Sequence, residues 1–109
     1  AARRADDWVR DRVARIMANR ARLADALQSL GLQPFPSAAN FLLVPLPPGA
    51  AAADWNLRLR ARGIAVRPFA ALPGAGECVG VTIGPWSMMQ RFLDAAAALL
   101  DETGKRGTP

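Results

Sequence analysis

The chain has 109 residues, a formal net charge of +5 and an apolar content of 51%. This length corresponds to about one domain, and this apolar content can form a core, which excludes a disordered chain. The sequence has no histidine and no tyrosine, and its only lysine is Lys105. These absences argue against a self-contained hydrolase triad, a His-based acid/base pair and a His/Cys metal site. We therefore predict that the chain is not a complete enzyme.

Nothing in the sequence indicates export or membrane insertion. The apolar stretches are short and are interrupted by Arg, Pro or Gly, so we expect no membrane-spanning helix. Charged residues occupy positions where a signal peptide needs an apolar run. The single cysteine, Cys78, cannot form an internal disulfide, and without an activating neighbour it is typical of an unreactive core thiol. We predict a cytoplasmic protein.

The positive charge allows two interpretations. A basic domain fits a nucleic-acid-binding or other interaction module. However, 13 of the 14 cations are arginine and 23 residues are alanine, a bias that also fits the composition of an Ala/Arg/Pro-favouring genome. Nucleic-acid-binding sheets carry several aromatic residues, whereas the predicted strands here carry only Phe41 and Phe69. Binding of nucleic acid is therefore the less favoured alternative.

The first predicted element is a long helix over residues 6–30. Apolar residues recur there at steps of three and four, and Gly31 follows as a typical helix end. A helix of this length spans about 37 Å, more than a domain this small needs. We expect its first turns to contact something outside this chain, and we interpret its arginine-rich face as solvated.

A strand is predicted near 40–45, a helix over 51–62 that ends at Gly63, and a second strand near 64–69. Residues 70–77 are predicted to form a loop. A third strand follows near 78–83, with Val79, Val81 and Ile83 on one face. The last helix is predicted near 85–102, with Met88, Phe92, Ala96 and Leu99 as its buried stripe. The pattern predicts an α+β, two-layer domain over 1–104, a three-stranded sheet packed against helices, and a flexible tail at 105–109.

Arg67 is the candidate binding residue. It ends a short apolar stretch directly before Pro68, a position from which a side chain can project into a crevice. A fixed guanidinium there can bind a carboxylate or phosphate through paired hydrogen bonds. A solvent-facing arginine in an ordinary ion pair is the alternative, and position alone does not decide between them. No catalytic, cofactor-binding or metal-binding residue is predicted.

Several segments together resemble the histidinol-phosphate aminotransferases. The matching stretches keep the order and spacing of that family's motifs from about residue 20 to residue 100. They are 22–27, 36–44 (PSAANFLLV), 63–67 (GIAVR), 78–84 (CVGVTIG) and 85–93. The resemblance implies the C-terminal small domain of a fold-type I enzyme that depends on pyridoxal 5'-phosphate. Its reaction would be amino transfer with 2-oxoglutarate and glutamate in histidine biosynthesis.

The resemblance also implies partners and a division of labour. The cofactor, its Schiff-base lysine and most phosphate-binding residues would belong to a large domain outside this chain, and the full-length enzyme would be a homodimer. The fragment alone would be inactive. The small domain would close over the site, and Arg67 would contact the distal anionic group of a small-molecule substrate. The long first helix would link the two domains.

One position departs from the family pattern. The family arginine that binds the substrate α-carboxylate falls on Gly80 here, and glycine cannot form that bidentate contact. Either another group supplies the cation, the substrate differs, or this copy is altered or inactive. A related decarboxylase or lyase that depends on the same cofactor is therefore an alternative within the class.

Overall fold

The computed structural model describes the backbone of residues 5–107 and the side chains of residues 6–102. Six elements follow one another as helix, strand, helix, strand, strand, helix, which confirms the predicted order and the α+β class. They are α1 (Ala5–Ser29), β1 (Phe41–Pro45), α2 (Ala52–Ala61), β2 (Arg67–Leu72), β3 (Gly76–Thr82) and α3 (Trp86–Gly107).

The three strands form one antiparallel sheet with β3 in the centre, in the order β1-β3-β2. The register places Gly80 of β3 directly between Leu43 of β1 and Arg67 of β2. Because side chains alternate between the two faces of a strand, these three positions lie on the same face of the sheet.

The opposite face of the sheet is covered by the helices. Val79, Val81 and Ile83 are buried there, as their alternation along the third strand predicts. Leu23 and Leu27 of α1 are also fully buried in the same cluster. The rest of this cluster comes from Leu32 after α1 and from α2, α3 and β1: Trp55, Leu59, Met89, Phe92, Leu93, Ala95, Ala96, Leu99, Leu42 and Val44. One face of the sheet is thus packed, and the other is left for contacts of a different kind.

Two glycines end the first two helices as predicted. Gly31 and Gly63 have φ angles of 90° and 78°, a left-handed conformation that glycine adopts without steric cost. In each case the next residue donates its N–H back into the helix: Leu32 to the Leu27 carbonyl and Ile64 to the Leu59 carbonyl, both at 2.9 Å. These bonds satisfy carbonyl groups that the last turn leaves without a partner.

The second strand begins later than the sequence pattern indicates. The prediction near 64–69 is wrong for its first three residues, since β2 starts at Arg67. The Ile64 N–H is used to cap α2, so the chain is still leaving the helix at that point. The strand also continues to Leu72, and its register with β3 is irregular after Phe69. The predicted loop at 70–77 is therefore reduced to a tight turn between Leu72 and Gly76.

The last helix differs from its prediction in length and in one buried residue. It continues to Gly107 instead of ending at 102, because no proline interrupts it and a single glycine costs a helix only about 1 kcal/mol. The predicted tail thus begins inside its last turns, and residues 1–4 and 108–109 lie outside the described part of the chain. Met88 is exposed and Met89 is buried. Successive helical residues are about 100° apart, and the stripe through Phe92 and Ala96 is centred on Met89.

Candidate functional site

The face of the sheet that the helices leave open carries the candidate site. A groove of about 190 Å³ crosses it from β1 to β2. It is lined by Asn40, Phe41, Arg67, Phe69, Gly80 and Thr82. Three strands contribute to this groove because the register aligns their outward-facing positions. The arrangement is a shallow surface with two aromatic side chains and one cation.

Arg67 lies in this groove, as the functional interpretation of the sequence requires. It is the first residue of β2, its side chain is exposed, and among the groove-lining residues of the described chain it is the one with a charge. Asn40 and Thr82 add neutral hydrogen-bonding groups at the β1 side of the groove. The groove can therefore bind a compact anion whose remaining atoms contact the aromatic side chains.

The floor of the groove is formed by Gly80 and the ring of Phe69. The guanidinium carbon of Arg67 lies 5.6 Å from the centre of that ring. A Cβ atom added at Gly80 would lie 3.2 Å from the Cε2 atom of Phe69 and 3.7 Å from the Cβ atom of Arg67. The ring thus occupies part of the space into which a side chain at position 80 would extend.

The β1 side of the groove is fixed by α1. Arg20 donates a hydrogen bond of 2.8 Å from its Nη1 atom to the carbonyl of Ala39, directly before the groove residue Asn40. Asn40 in turn accepts the N–H of Ile83 at 2.7 Å. Within the segment, the Ser37 hydroxyl accepts the N–H of Ala39. The loop before β1 is therefore held at both the helix and the central strand.

The arginine-rich face of α1 is only partly solvated, which corrects the sequence-based interpretation. Arg20 bonds to the loop before β1, and Arg22 stacks on the ring of Trp86 at 3.8 Å from its centre. Next to this stack, Asn19 donates to the carbonyl of Gly84 at 3.0 Å. Periodicity alone could not detect these contacts, because Trp86 lies more than sixty positions farther along the chain.

A second groove, of about 520 Å³, lies between α1 and the segment after β3. Trp8, Arg12 and Arg15 line it from α1, and Trp86 lines it from α3. The apolar residues Val9, Val13 and Met17 on the same half of α1 are each about half exposed, at 50%, 48% and 49%. This half of the helix has few contacts with the described core, in line with its excess length.

Glu77 supports the turn between β2 and β3. Its carboxylate accepts the N–H of Ala52 at 2.8 Å and the N–H of Ala71 at 2.7 Å. The first bond caps the start of α2, where Ala51 offers no side-chain acceptor. These two backbone donors, Ala52 first, hold the pKa of Glu77 below its ordinary value because they stabilise the ionised form. Sequence analysis did not identify Glu77, since Ala52 is 25 residues away and the bond to Ala71 depends on the geometry of the turn.

Cys78 has the properties expected of an unreactive thiol, although its register position is on the open face and it lies outside the main hydrophobic cluster. It is fully buried, and burial, with a smaller contribution from the Glu77 charge, raises the pKa of its thiol above the ordinary value. A thiol that stays protonated is a poor nucleophile. Among the described residues there is also no cluster of acidic, Cys or His side chains able to hold a metal ion. In the same part of the chain, no helix combines the length and the apolar character needed to cross a membrane.

Comparison with known families assigns the chain to a family. The family described as aminotransferase class I and II matches residues 1–95. The chain belongs to this family. Histidinol-phosphate aminotransferase 2 of Gluconobacter oxydans (strain 621H) is 40% identical to this chain over 94 residues. The match covers 86% of this chain and 26% of that protein. The histidinol-phosphate aminotransferase of Roseiflexus castenholzii is 44% identical over 85 residues, 75% of the chain and 23% of that protein.

These relatives confirm the resemblance that the motifs indicate, and the chain spans about a quarter of their length. Two solved structures share the fold of this class I and II domain. A Burkholderia pseudomallei K96243 protein described as an aminotransferase has a TM-score of 0.65 and 35% identity, over 79% of this chain and 26% of that one. A decarboxylase from Sulfurospirillum multivorans has a TM-score of 0.74 and 27% identity, over 89% of this chain and 29% of that one.

Enzymes of class I and II generally depend on pyridoxal phosphate, and the described residues of this chain do not fit that cofactor. Its attachment requires a lysine, and the only one is Lys105, whose side chain lies outside the described part. Arg67 is the single cation of the groove on the open face, and no lysine lies beside it. The described part of this groove thus offers one guanidinium and no amino group for attachment of the cofactor.

Proposed function

We propose that this chain is the C-terminal small domain of a pyridoxal-phosphate-dependent aminotransferase similar to histidinol-phosphate aminotransferase. Its task is to bind an anionic group of the substrate and to close the site. The position of Arg67 in a groove on the open face of the sheet carries this proposal. The family assignment and the two named relatives support it.

Arg67 acts by geometry and charge. A guanidinium presents a planar pair of N–H donors that matches two oxygens of a phosphate or carboxylate. Phe41 and Phe69 line the same groove and offer apolar surface in place of water. When such a surface closes onto the rest of the enzyme, water leaves the groove, and the ion pair becomes stronger in the lower dielectric. The substrate is then held in one orientation.

The remainder of the reaction belongs to residues outside this chain. We propose that a large domain of the same protein holds the cofactor, which supplies the electron sink for amino transfer. The half of α1 that carries Val9, Val13 and Met17 would contact that domain. We further propose that the full-length enzyme is a homodimer. Neither proposal requires this chain to bind the cofactor itself.

The direct test uses the whole protein that contains this chain. Purified with its cofactor, it is supplied with histidinol phosphate as amino donor and 2-oxoglutarate as acceptor, and the formation of glutamate is measured. We expect glutamate to form with a 1:1 loss of the donor. A protein that holds the cofactor but forms no glutamate would contradict the proposed reaction.

A decarboxylase is the second candidate, and Gly80 favours it. With glycine there, Arg67 is the one cation among the described groove residues, so a second arginine for a substrate carboxylate is lacking. One solved structure that shares the fold is described as a decarboxylase. Release of carbon dioxide from a phosphorylated amino acid, in place of glutamate formation, would identify this reaction.

Membership in the aminotransferase family argues against the other hypothesis, a free-standing nucleic-acid-binding module. That hypothesis requires tight, steeply salt-dependent binding to DNA or RNA. We expect weak binding at low salt. A specific complex that withstands physiological salt would restore the alternative.

A further inference from the structure

We propose that Phe69 is a positioning residue for Arg67. We also propose that position 80 is glycine because the Phe69 ring occupies the space that a side chain at position 80 would fill. The inference rests on the proposed role of Arg67 as an anion-binding residue and adds the group that fixes its guanidinium. It concerns three residues of the open face, Arg67, Phe69 and Gly80, which lie on two neighbouring strands.

The register brings these residues together. Arg67 lies opposite Gly80, and Phe69 lies opposite Cys78, so both β2 side chains point to the same face as Gly80. Diagonal neighbours on an antiparallel pair are within reach of an aromatic side chain. The Phe69 ring uses this reach and leans from its own register position toward Gly80, where its Cε2 atom lies 3.2 Å from the Cβ position of that glycine.

The ring is close enough to influence Arg67. Its centre lies 5.6 Å from the guanidinium carbon, within the distance at which a cation and an aromatic face attract each other. Arg67 is exposed, and among residues 6–102 its guanidinium forms no hydrogen bond or ion pair. An exposed arginine without support samples many rotamers, and fixing them on binding costs free energy. The ring reduces this cost.

Gly80 is required for that placement. Its backbone is not in the left-handed region, so backbone conformation alone does not demand glycine. A contact of 3.2 Å from Cβ is tighter than normal packing, so alanine at position 80 must displace the ring by a few tenths of an ångström. A larger side chain, arginine included, would occupy the ring's place. Restoring the family arginine at Gly80 is therefore incompatible with the present position of Phe69.

The test follows binding and geometry separately, in the whole protein that contains this chain, labelled with ¹⁵N-arginine. Loss of one signal in Arg67→Gln assigns the Nε–H resonance of Arg67. The dissociation constant for inorganic phosphate is then measured by titration. The position of the Arg67 signal without phosphate reports its distance from the ring, because an aromatic ring shifts nearby protons.

We expect Phe69→Leu to weaken phosphate binding about 3- to 10-fold, the range of a lost cation–π contact, and to move the Arg67 signal. Gly80→Ala displaces the ring by only a few tenths of an ångström, so we expect a smaller change in the same direction. The double variant should be no weaker than Phe69→Leu, since the ring is already gone there. Phe69→Tyr keeps the ring and should keep both properties. Gly84→Ala is the matched control, because its added Cβ meets only ordinary contacts, at 3.8 Å and 4.0 Å.

The outcomes separate the two proposals. If Arg67→Gln binds phosphate as well as the unaltered protein, Arg67 is not an anion-binding residue and the proposed function fails. If Arg67→Gln loses binding while Phe69→Leu retains both binding and the Arg67 signal position, only the positioning role is overturned. Phe69→Leu decides the question even if Gly80→Ala fails to fold.

Discussion

Ala71 adopts a backbone conformation that few residues other than glycine tolerate. Its φ is 51°, which brings the Cβ atom close to the backbone and costs about 1–2 kcal/mol for an L-residue. The N–H of Ala71 donates to the Glu77 carboxylate at 2.7 Å, and this bond holds the turn in place. This conformation of Ala71 accounts for the irregular register between β2 and β3 after Phe69.

We expect Ala71→Gly to raise the free energy of unfolding by about 0.5–1 kcal/mol, because glycine removes the strain at a smaller entropic cost. Chemical denaturation of the whole protein measures the change. Ala70→Gly is the control, since it adds chain flexibility without relieving strain and should lower stability. A loss of stability in Ala71→Gly equal to that of Ala70→Gly would show that the turn is not strained.

The residues of the site differ in how far the sequence reveals them. Arg67 could be named as a candidate because an arginine between an apolar stretch and a proline is a local signal, and the family resemblance, not its position, favoured a binding role. The importance of Phe69 and the reason for Gly80 could not, because they depend on which residues face each other across β2 and β3. Register is set by the packing of the whole sheet, so no local pattern contains it.

At the scale of elements, Glu77 links the β2–β3 turn to α2. One carboxylate oxygen caps the first N–H of the helix and the other holds the turn. Glu77→Gln is expected to lower the denaturation midpoint at pH 7, since the amide offers one acceptor oxygen and turns its NH₂ toward the other donor. Asp94→Asn is the control, because among the described residues this carboxylate accepts a hydrogen bond only from a neighbouring side chain on α3.

The effect of Glu77 depends on pH with a defined sign. Its pKa in the folded protein is lower than the ordinary 4.5, so the ionised form contributes stability above about that pH and the contribution is lost as the pH falls through the folded-state pKa. The difference between the unaltered protein and Glu77→Gln should shrink in acid. A difference that stays constant from pH 7 to pH 3 would contradict this role.

Elements whose ends are set locally agree with their predictions. Gly31 and Gly63 end helices by their own conformational freedom, and the alternation along β3 follows from burial of one face. The start of β2 and the choice between Met88 and Met89 were wrong because they depend on neighbours. A capping bond uses the Ile64 N–H, and the position of α3 over the sheet decides which methionine is buried.

On the scale of the whole molecule, the exposed apolar residues of α1 require an explanation. Val9, Val13 and Met17 form a stripe with spacing of four along half of the helix, and Leu23 and Leu27 continue it into the core. A helix that is apolar beyond its own domain buries that face elsewhere. In our account the large domain of the same protein covers it.

We expect Val13→Asp to leave the stability of the 109-residue chain unchanged within about 0.5 kcal/mol, as for a typical surface substitution. In the whole protein the same change should lower the thermal midpoint, because it places a charge in an apolar contact. Thermal unfolding of both forms makes the comparison. An equal change of the thermal midpoint in the 109-residue chain and in the whole protein would mean that nothing covers the apolar stripe of α1.

The central claim is that Arg67 binds the anionic group of the substrate. It is tested by measuring kcat/KM for histidinol phosphate and for histidinol, which lacks the phosphate, with the unaltered whole protein, Arg67→Gln and the control Arg60→Gln. Loss of a charge-assisted contact corresponds to about 10- to 100-fold. We predict this loss for Arg67→Gln with the phosphorylated donor alone, and none for Arg60→Gln. Equal values for Arg67→Gln and the unaltered protein, or the same loss with both donors, would contradict the claim.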